Sequence, residues 1–280
     1  MKIGIAGLGL IGGSMAKAIK ANTAHRVIGY DIDSQVLCRA REEGAIDCIG
    51  TQALLGTLDL LLVALYPEQT VRFVRERAAF LRPGCAVIDL CGVKTYVCKA
   101  LGPFCAQQGL LFIGGHPMAG REFSGYGAAQ AELFQGASML LVPGEAGDAA
   151  QAEAFAPFFR QLGFTKVVVT TAETHDRMIA FTSQLAHIVS NAYVKSPEAE
   201  KHDGYSAGSY KDLTRVARLN ETMWSELFLC NREALIDELD CIIGHLQEYR
   251  FALETEDRDT LQRLLKEGSD RKKRIDREGE

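Results

Sequence analysis

The sequence contains no apolar run approaching the length of a membrane span, and no surplus of one charge large enough to steer a polyanion or a lipid surface. A helix crossing a bilayer needs about 20 consecutive apolar residues, so membrane insertion is not expected. Lysine and arginine number 31 and aspartate and glutamate 36, a net charge of −5. That balance provides no basic footprint, so neither nucleic acid nor membrane is expected as a partner. Eight cysteines (Cys38, Cys48, Cys85, Cys91, Cys98, Cys105, Cys230, Cys241) form no Cys-x-x-Cys pair and no zinc spacing. Most lie among apolar neighbours, where a thiol acts as a small hydrophobe. No metal site is expected, and a reducing, cytoplasmic setting fits better than a disulfide framework. The chain enters an apolar strand at Ile3, which leaves no room for a cleavable leader. With 280 residues, 47% hydrophobic and 24% charged, it is long enough for two domains with a sizeable core.

The chain is organised around its first 31 residues. Ile3–Ala6 reads as a buried strand that enters Gly7-Leu8-Gly9-Leu10-Ile11-Gly12, a Gly-x-Gly-x-x-Gly turn. A helix is expected from Gly13 to Ala21 and a second strand over Arg26–Tyr30, ending at Asp31. In such a unit Gly7 permits the tight turn, Gly9 the approach of a pyrophosphate, and Gly12 close packing of helix on strand. The helix N-terminus adds free N–H groups and positive partial charge. Asp31, 19 residues after Gly12, can take the ribose hydroxyls and would repel a 2′-phosphate. The stretch predicts a dinucleotide site with NAD as cofactor.

The first half continues as alternating strand and helix. Leu58–Leu65 has the continuous apolar character of a central parallel strand. Pro67 opens a helix to about Leu81, stopped by Arg82-Pro83-Gly84. Cys85–Asp89 is a strand, Val93–Gln108 a helix interrupted at Pro103, and Leu110–Gly114 a strand. Ser138–Val142 and Lys166–Val169 follow as strands, with a helix from Asp148 to Leu162 between them. The pattern predicts an α/β fold, a Rossmann-type doubly wound parallel sheet with an added, antiparallel-capable edge. Its ligands bind beyond the carboxyl ends of the strands.

Strands end near residue 171, dividing the chain into a dinucleotide-binding domain, 1–171, and an all-α domain, 172–280. Helices are expected over Glu173–Lys195 and Leu219–Leu253. Leu235, Leu239, Ile242, Leu246, Tyr249 and Leu253 alternate three and four apart, close to a heptad seam. That stripe needs a partner surface and predicts a homodimer built through the helical domain, packing within the domain being the alternative. The tail from Arg271 to Glu280 mixes both charges and reads as a frayed, solvated end.

Two further stretches carry candidate chemistry. His116, in Gly114-Gly115-His116-Pro117, directly follows a predicted strand at the ligand end of the sheet. An imidazole there can accept a hydroxyl proton while hydride leaves the same carbon. A loop histidine bonded to a carbonyl is the plainer reading, and position favours the catalytic one. Ser183, His187 and Asn191, four apart, line one face of the following helix. Spacing leaves open whether that stripe is solvated or walls a pocket. Arg215 offers a planar fork for a carboxylate, or for a salt bridge.

Taken together, GLGLIGGS, DLCGVK (Asp89–Lys94), GGHPMAGRE (Gly114–Glu122), HDRMIAFTSQLAH (His175–His187) and GSYKDLTRVARLNETMWSELF (Gly208–Phe228) resemble the prephenate dehydrogenases. These are enzymes of tyrosine synthesis with a dinucleotide-binding domain followed by a helical dimerisation domain. The resemblance covers nearly the whole chain in order. It implies NAD-dependent oxidation and decarboxylation of prephenate, or of arogenate. His116 matches the catalytic histidine on the C4 hydroxyl, and His187 a histidine of the active-site wall that joins it as a catalytic candidate. Arg215 matches the arginine holding a substrate carboxylate, and Trp224 a tryptophan near the pocket. Ser183 joins these two as a substrate-binding candidate. Gly92 stands where many members have a serine that bonds the catalytic histidine and the cofactor. Ala186 replaces a common proline, and Ser209-Tyr210 a common Gly-Phe. No carboxy-terminal regulatory domain of the kind some members carry is expected. Two other classes share parts of the pattern. A 3-hydroxyacid dehydrogenase would rely on a lysine base, for which Lys94 is the rival, and a non-enzymatic NAD sensor would not need His116.

Overall fold

A computed structural model describes residues 1–121, 123–144 and 149–278. Glu122 of the GGHPMAGRE stretch, the predicted helix start at Asp148, and the last two residues of the tail lie outside the described residues.

Eight strands form one sheet: β1 (Lys2–Ala6), β2 (Arg26–Tyr30), β3 (Cys48–Ile49), β4 (Leu60–Val63), β5 (Ala86–Asp89), β6 (Leu111–Pro117), β7 (Ser138–Pro143) and β8 (Lys166–Val169). Their order is β3-β2-β1-β4-β5-β6-β7-β8. The order reverses between β1 and β4, and the crevice at such a switch point is where ligands bind. All pairs are parallel except β6 with β7, which are antiparallel (His116 opposite Leu140), so β7 and β8 together run against the rest.

Helices alternate with the strands: α1 (Leu10–Asn22), α2 (Ser34–Glu42), α3 (Gln52–Leu55), α4 (Pro67–Arg77), α5 (Thr95–Gln107), α6 (Ala149–Glu153) and α7 (Ala156–Gln161). The continuous apolar character of β4 follows from burial on both faces. Leu60 and Leu62 join a core with Ile3, Ile5 and Ile88, while Leu61 and Val63 join a second with Ala6, Ile28 and Val87. Cys85, Cys91, Cys98 and Cys105 are buried, and desolvation pushes the Cys85 thiol up to about 11 and that of Cys98 to about 12.

Several boundaries differ from the sequence expectation. Helix α1 starts at Leu10, not Gly13, so its first turn contains Leu10, Ile11 and Gly12. Helix α5 continues through Pro103. Its buried face, including Val97, Leu101 and Cys105, packs against α4 and β6 and outweighs the ~3 kcal/mol a proline costs inside a helix. Helix α2 and strand β3 had no counterpart in the reading. The signal was present at Asp33, whose carboxylate caps α2 by accepting from the N–H groups of Gln35 and Val36.

The remaining helices are α8 (Ala172–Ile179), α9 (Ala186–Tyr193), α10 (Gly208–Thr214), α11 (Glu221–Cys230), α12 (Arg232–Glu254) and α13 (Arg258–Glu278). A π-helical turn, Ala180–Leu185, joins α8 to α9 without a break. By contact the chain divides into two compact units, Met1–Arg232 and Glu233–Glu280. The tail is helical rather than frayed. Its charges alternate as i,i+4 pairs, Lys266 with Asp270, Arg271 with Glu267 and Lys272 with Asp276, which support an exposed helix. In the second unit Ile243, Leu246, Phe251, Leu253 and Leu265 are exposed. No helix among the described residues is long and apolar enough to cross a membrane.

Candidate active site

The β1–α1 turn has the geometry a pyrophosphate needs. A Cβ on Gly12 would lie 1.8 Å from the Gly7 carbonyl oxygen, so only glycine allows the helix to start this close to the strand. At Gly9 a Cβ would meet nothing within 4 Å, which leaves the backbone open to a ligand. Asp31, at the end of β2, accepts from the Leu8 N–H (2.7 Å) and the Asp33 N–H (2.9 Å), one bond to each oxygen. Leu8 is buried and Leu10 and Ile11 partly so, which makes their backbone the functional part. A cleft of about 550 Å³ opens beside Gly7, Asp31 and Ile32. Arg72 and Arg77, from α4, line its far side, a basic element that the residues next to Asp31 in sequence do not announce. Arg77 is engaged by Glu76 (2.8 Å) and lies over the Phe73 ring.

His116 lies inside β6 rather than after it, one residue from the strand's end. Its Nδ1 is 2.9 Å from Nε2 of His175, whose own Nδ1 is 2.7 Å from Oδ1 of Asp176. The Asp176 carboxylate can only accept. It also receives the N–H groups of Lys94 and Thr95, both 2.8 Å, at the N-terminus of α5. Burial alone would raise its pKa, but these bonds outweigh burial and hold Asp176 below the ordinary carboxylate value. His175 therefore carries its proton on Nδ1. Burial holds it below its usual 6.5, so its Nε2 has a lone pair and accepts from Nδ1–H of His116. The tautomer of His116 follows: Nε2 is the bare nitrogen. Burial first, then His175 and Lys94, hold His116 well below 6.5, in the neutral form.

Beneath this chain lies a charge pair with no exposure. The Lys94 ammonium donates to Asp89 and to the Gly115 carbonyl (2.6 Å). Asp89 also accepts the N–H groups of Cys91 (3.0 Å) and Gly115 (3.3 Å). Burial alone would lower the Lys94 ammonium, and the carboxylate against it outweighs that and raises it. A charged lysine locked under the sheet is a poor base, which removes the ground for a lysine-dependent dehydrogenase.

Gly92 lies beside Nε2 of His116: a Cβ there would be 3.9 Å from Nε2 and 3.5 Å from Leu227. In place of a serine at position 92, the partner of His116 is His175 on the opposite nitrogen. Leu227 belongs to α11, as does Trp224, whose ring lies against His187 with centroids 4.1 Å apart and planes tilted by 31°. Nδ1–H of His187 donates to the Ser183 carbonyl (2.8 Å), leaving Nε2 available to a ligand. The Ser183 hydroxyl makes no hydrogen bond to either histidine among the described residues. Arg215, exposed, follows α10 as its C-terminal cap. The backbone on either side of it is pinned to α9, where Ser190 donates to the Leu213 carbonyl (2.6 Å) and Asn191 to that of Ala217 (3.0 Å). His116, His187 and Trp224 thus gather around α8–α11. Sequence alone gives His175-Asp176 no role, because the partner of His175 lies 59 residues away. Among the described residues, no group of histidine, cysteine and acidic side chains could hold a metal ion.

A glycine turn opening on a nucleotide cleft, with a buried acid–imidazole–imidazole chain at the carboxyl ends of the neighbouring strands, defines a nucleotide-dependent dehydrogenase. The nucleotide-binding domain of prephenate dehydrogenase matches residues 15–169, and the dimerization domain of the same enzyme matches residues 171–267. The chain belongs to the prephenate dehydrogenase family. It is 32% identical over 275 residues to the cyclohexadienyl dehydrogenase of Zymomonas mobilis, covering 95% of this chain and 92% of that one. Among solved structures it is similar to Synechocystis arogenate dehydrogenase (TM-score 0.82, 28% identity, 98% of this chain and 99% of that one). It is equally similar to the prephenate dehydrogenase of A. aeolicus in complex with hydroxyphenyl propionate and NAD+ (TM-score 0.83, 27% identity, 98% of each chain).

Proposed function

We propose that this dehydrogenase oxidises prephenate with NAD, releasing CO₂ and forming 4-hydroxyphenylpyruvate. The observation that carries the reading is the bare Nε2 of His116, fixed by the Asp176–His175–His116 chain and lying beside Gly92. Gly7–Gly12 would hold the NAD pyrophosphate and Asp31 its ribose hydroxyls, and the bound nicotinamide would accept the hydride. The protein's own residues do the rest. His116 accepts the C4 hydroxyl proton, and the charge it gains is stabilised through His175 by the Asp176 carboxylate. Arg215 holds a substrate carboxylate, while His187, Trp224 and Ser183 wall the ring. Once C4 is a ketone, loss of CO₂ from the quaternary carbon gives an aromatic ring, which makes the reaction irreversible.

The assay is formation of reduced nicotinamide with prephenate and arogenate side by side, each with NAD and NADP. Prephenate with NAD is expected to give the highest kcat/KM. Arogenate turning over better would reassign the substrate. Because Asp31 and Arg72 line the same cleft, the NAD-to-NADP ratio reports which of the two dominates. Equal values would remove Asp31 as the discriminator, and Asp31→Ala should narrow the gap.

We also propose a homodimer built through the helical domain. The dimerization-domain match and the exposed Ile243, Leu246 and Leu253 support it, since apolar faces of this kind are covered in obligate assemblies. Sedimentation should give a dimer at micromolar concentration, and a monomer there would rule it out.

A further inference from the structure

Two buried amides are left over by this reaction. Gln184 and Asn231 are 1% and 6% exposed, and burying a side-chain amide costs free energy unless its polar atoms are satisfied. Here they satisfy each other across a gap in helical order. Nδ2 of Asn231 donates to the Asp176 carbonyl (2.9 Å) and to Oε1 of Gln184 (2.8 Å). Nε2 of Gln184 donates to the Leu227 carbonyl (3.3 Å). Asp176 precedes the π turn Ala180–Leu185 and Gln184 lies inside it, so the Asn231 side chain spans the turn.

The turn sets where two histidines point. His175 and His187 are 12 residues apart on one continuous rod. At about 100° per residue an uninterrupted α-helix would place them about 120° apart around its axis, whereas one extra residue absorbed in a π turn reduces that to about 20°. The structure has the second arrangement, and in it His175 meets His116 while His187 meets Trp224, three residues before Leu227, which lies beside Gly92. A π turn is one residue of slack in a helix. Were it to migrate past His187 and leave at the end near Tyr193, His187 would rotate by about 100°.

We propose that Asn231 and Gln184 are positioning residues for this reaction: by clasping the π turn they hold the register that presents His175 to His116 and His187 to Trp224 at once. The proposal rests on His116 as proton acceptor.

Trp224 is the only tryptophan in the chain and the His187 imidazole lies against it, so its emission is expected to be quenched by that ring and to read the register without substrate. Asn231→Leu keeps the size and removes both donated bonds. Trp224 emission is expected to rise to the level seen in His187→Ala, with no further rise when the two changes are combined. NADH affinity should stay unchanged, and kcat/KM for prephenate should fall by about 10- to 100-fold. Parental emission, or parental kcat/KM, in folded Asn231→Leu would overturn the proposal. If Asn231→Leu loses NADH binding as well, Gln184→Met, which removes only the amide, carries the same test with the same two outcomes. Full activity in His116→Asn would sink the assignment of the base. The emission of Trp224 would still decide whether the clasp sets the register.

Discussion

His116→Asn is expected to lower kcat by about 10²–10⁴-fold, the range a positioned general base contributes, with NAD affinity unchanged. Asparagine can still donate to Nε2 of His175, so the chain beneath is preserved and only the proton acceptor is lost. The pH profile gives the second readout. A base must be unprotonated to act, so activity is full above its pKa and falls as pH drops through it. Burial, His175 and Lys94 hold His116 well below 6.5, which puts the acidic limb of log kcat/KM for the free enzyme below pH 6.5. That limb should vanish in the asparagine variant. Its retention would move the base to His187, since Lys94 is buried as an ammonium against Asp89. Arg215→Ala should behave differently, raising KM more than it lowers kcat, because a carboxylate is held in ground and transition states alike.

Which of these features could be read from the chain alone follows from their range. The nucleotide end was legible because every requirement falls within 31 consecutive residues: strand, glycine turn, helix, strand, acid. His116 was legible by position, since the sheet's topology fixes which strand ends carry ligands. The imidazole chain behind it was not. The tautomer depends on His175 and Asp176, which reach it only because α8 packs against the N-terminus of α5. The far side of the nucleotide cleft was hidden for the same reason, as Arg72 comes from a helix after β4. The π turn has no local signature at all. Ala-Phe-Thr-Ser-Gln-Leu has the composition of ordinary helix, and its extra residue shows only when two distant contacts must be met by one rod. The exposed helix at the tail is the opposite case: its i,i+4 charge pairs were visible and outweigh the mixed-charge composition that reads as frayed.

The largest loss of stability is expected where charge is most deeply enclosed. Asp89 and Lys94 have no exposed side-chain area, and between them they bond the backbone of Cys91 after β5 and of Gly115 in β6. Asp89→Leu leaves an ammonium buried without its counter-ion and should destabilise the fold by about 3–5 kcal/mol, read as a lowered denaturant midpoint at unchanged m-value. Pairing it with Lys94→Met removes the orphaned charge as well. Buried ion pairs replaced whole by apolar side chains are often neutral or better, so the double variant should recover most of the lost stability. Activity should not return with it. The pair also pins the two strand ends that set the height of His116 above the sheet, and a displacement of about 1 Å at a reacting group can cost 10²-fold. A double variant as unstable as Asp89→Leu alone would show that packing, not charge, dominates here. One both stable and fully active would show that the strand ends hold His116 without the clamp.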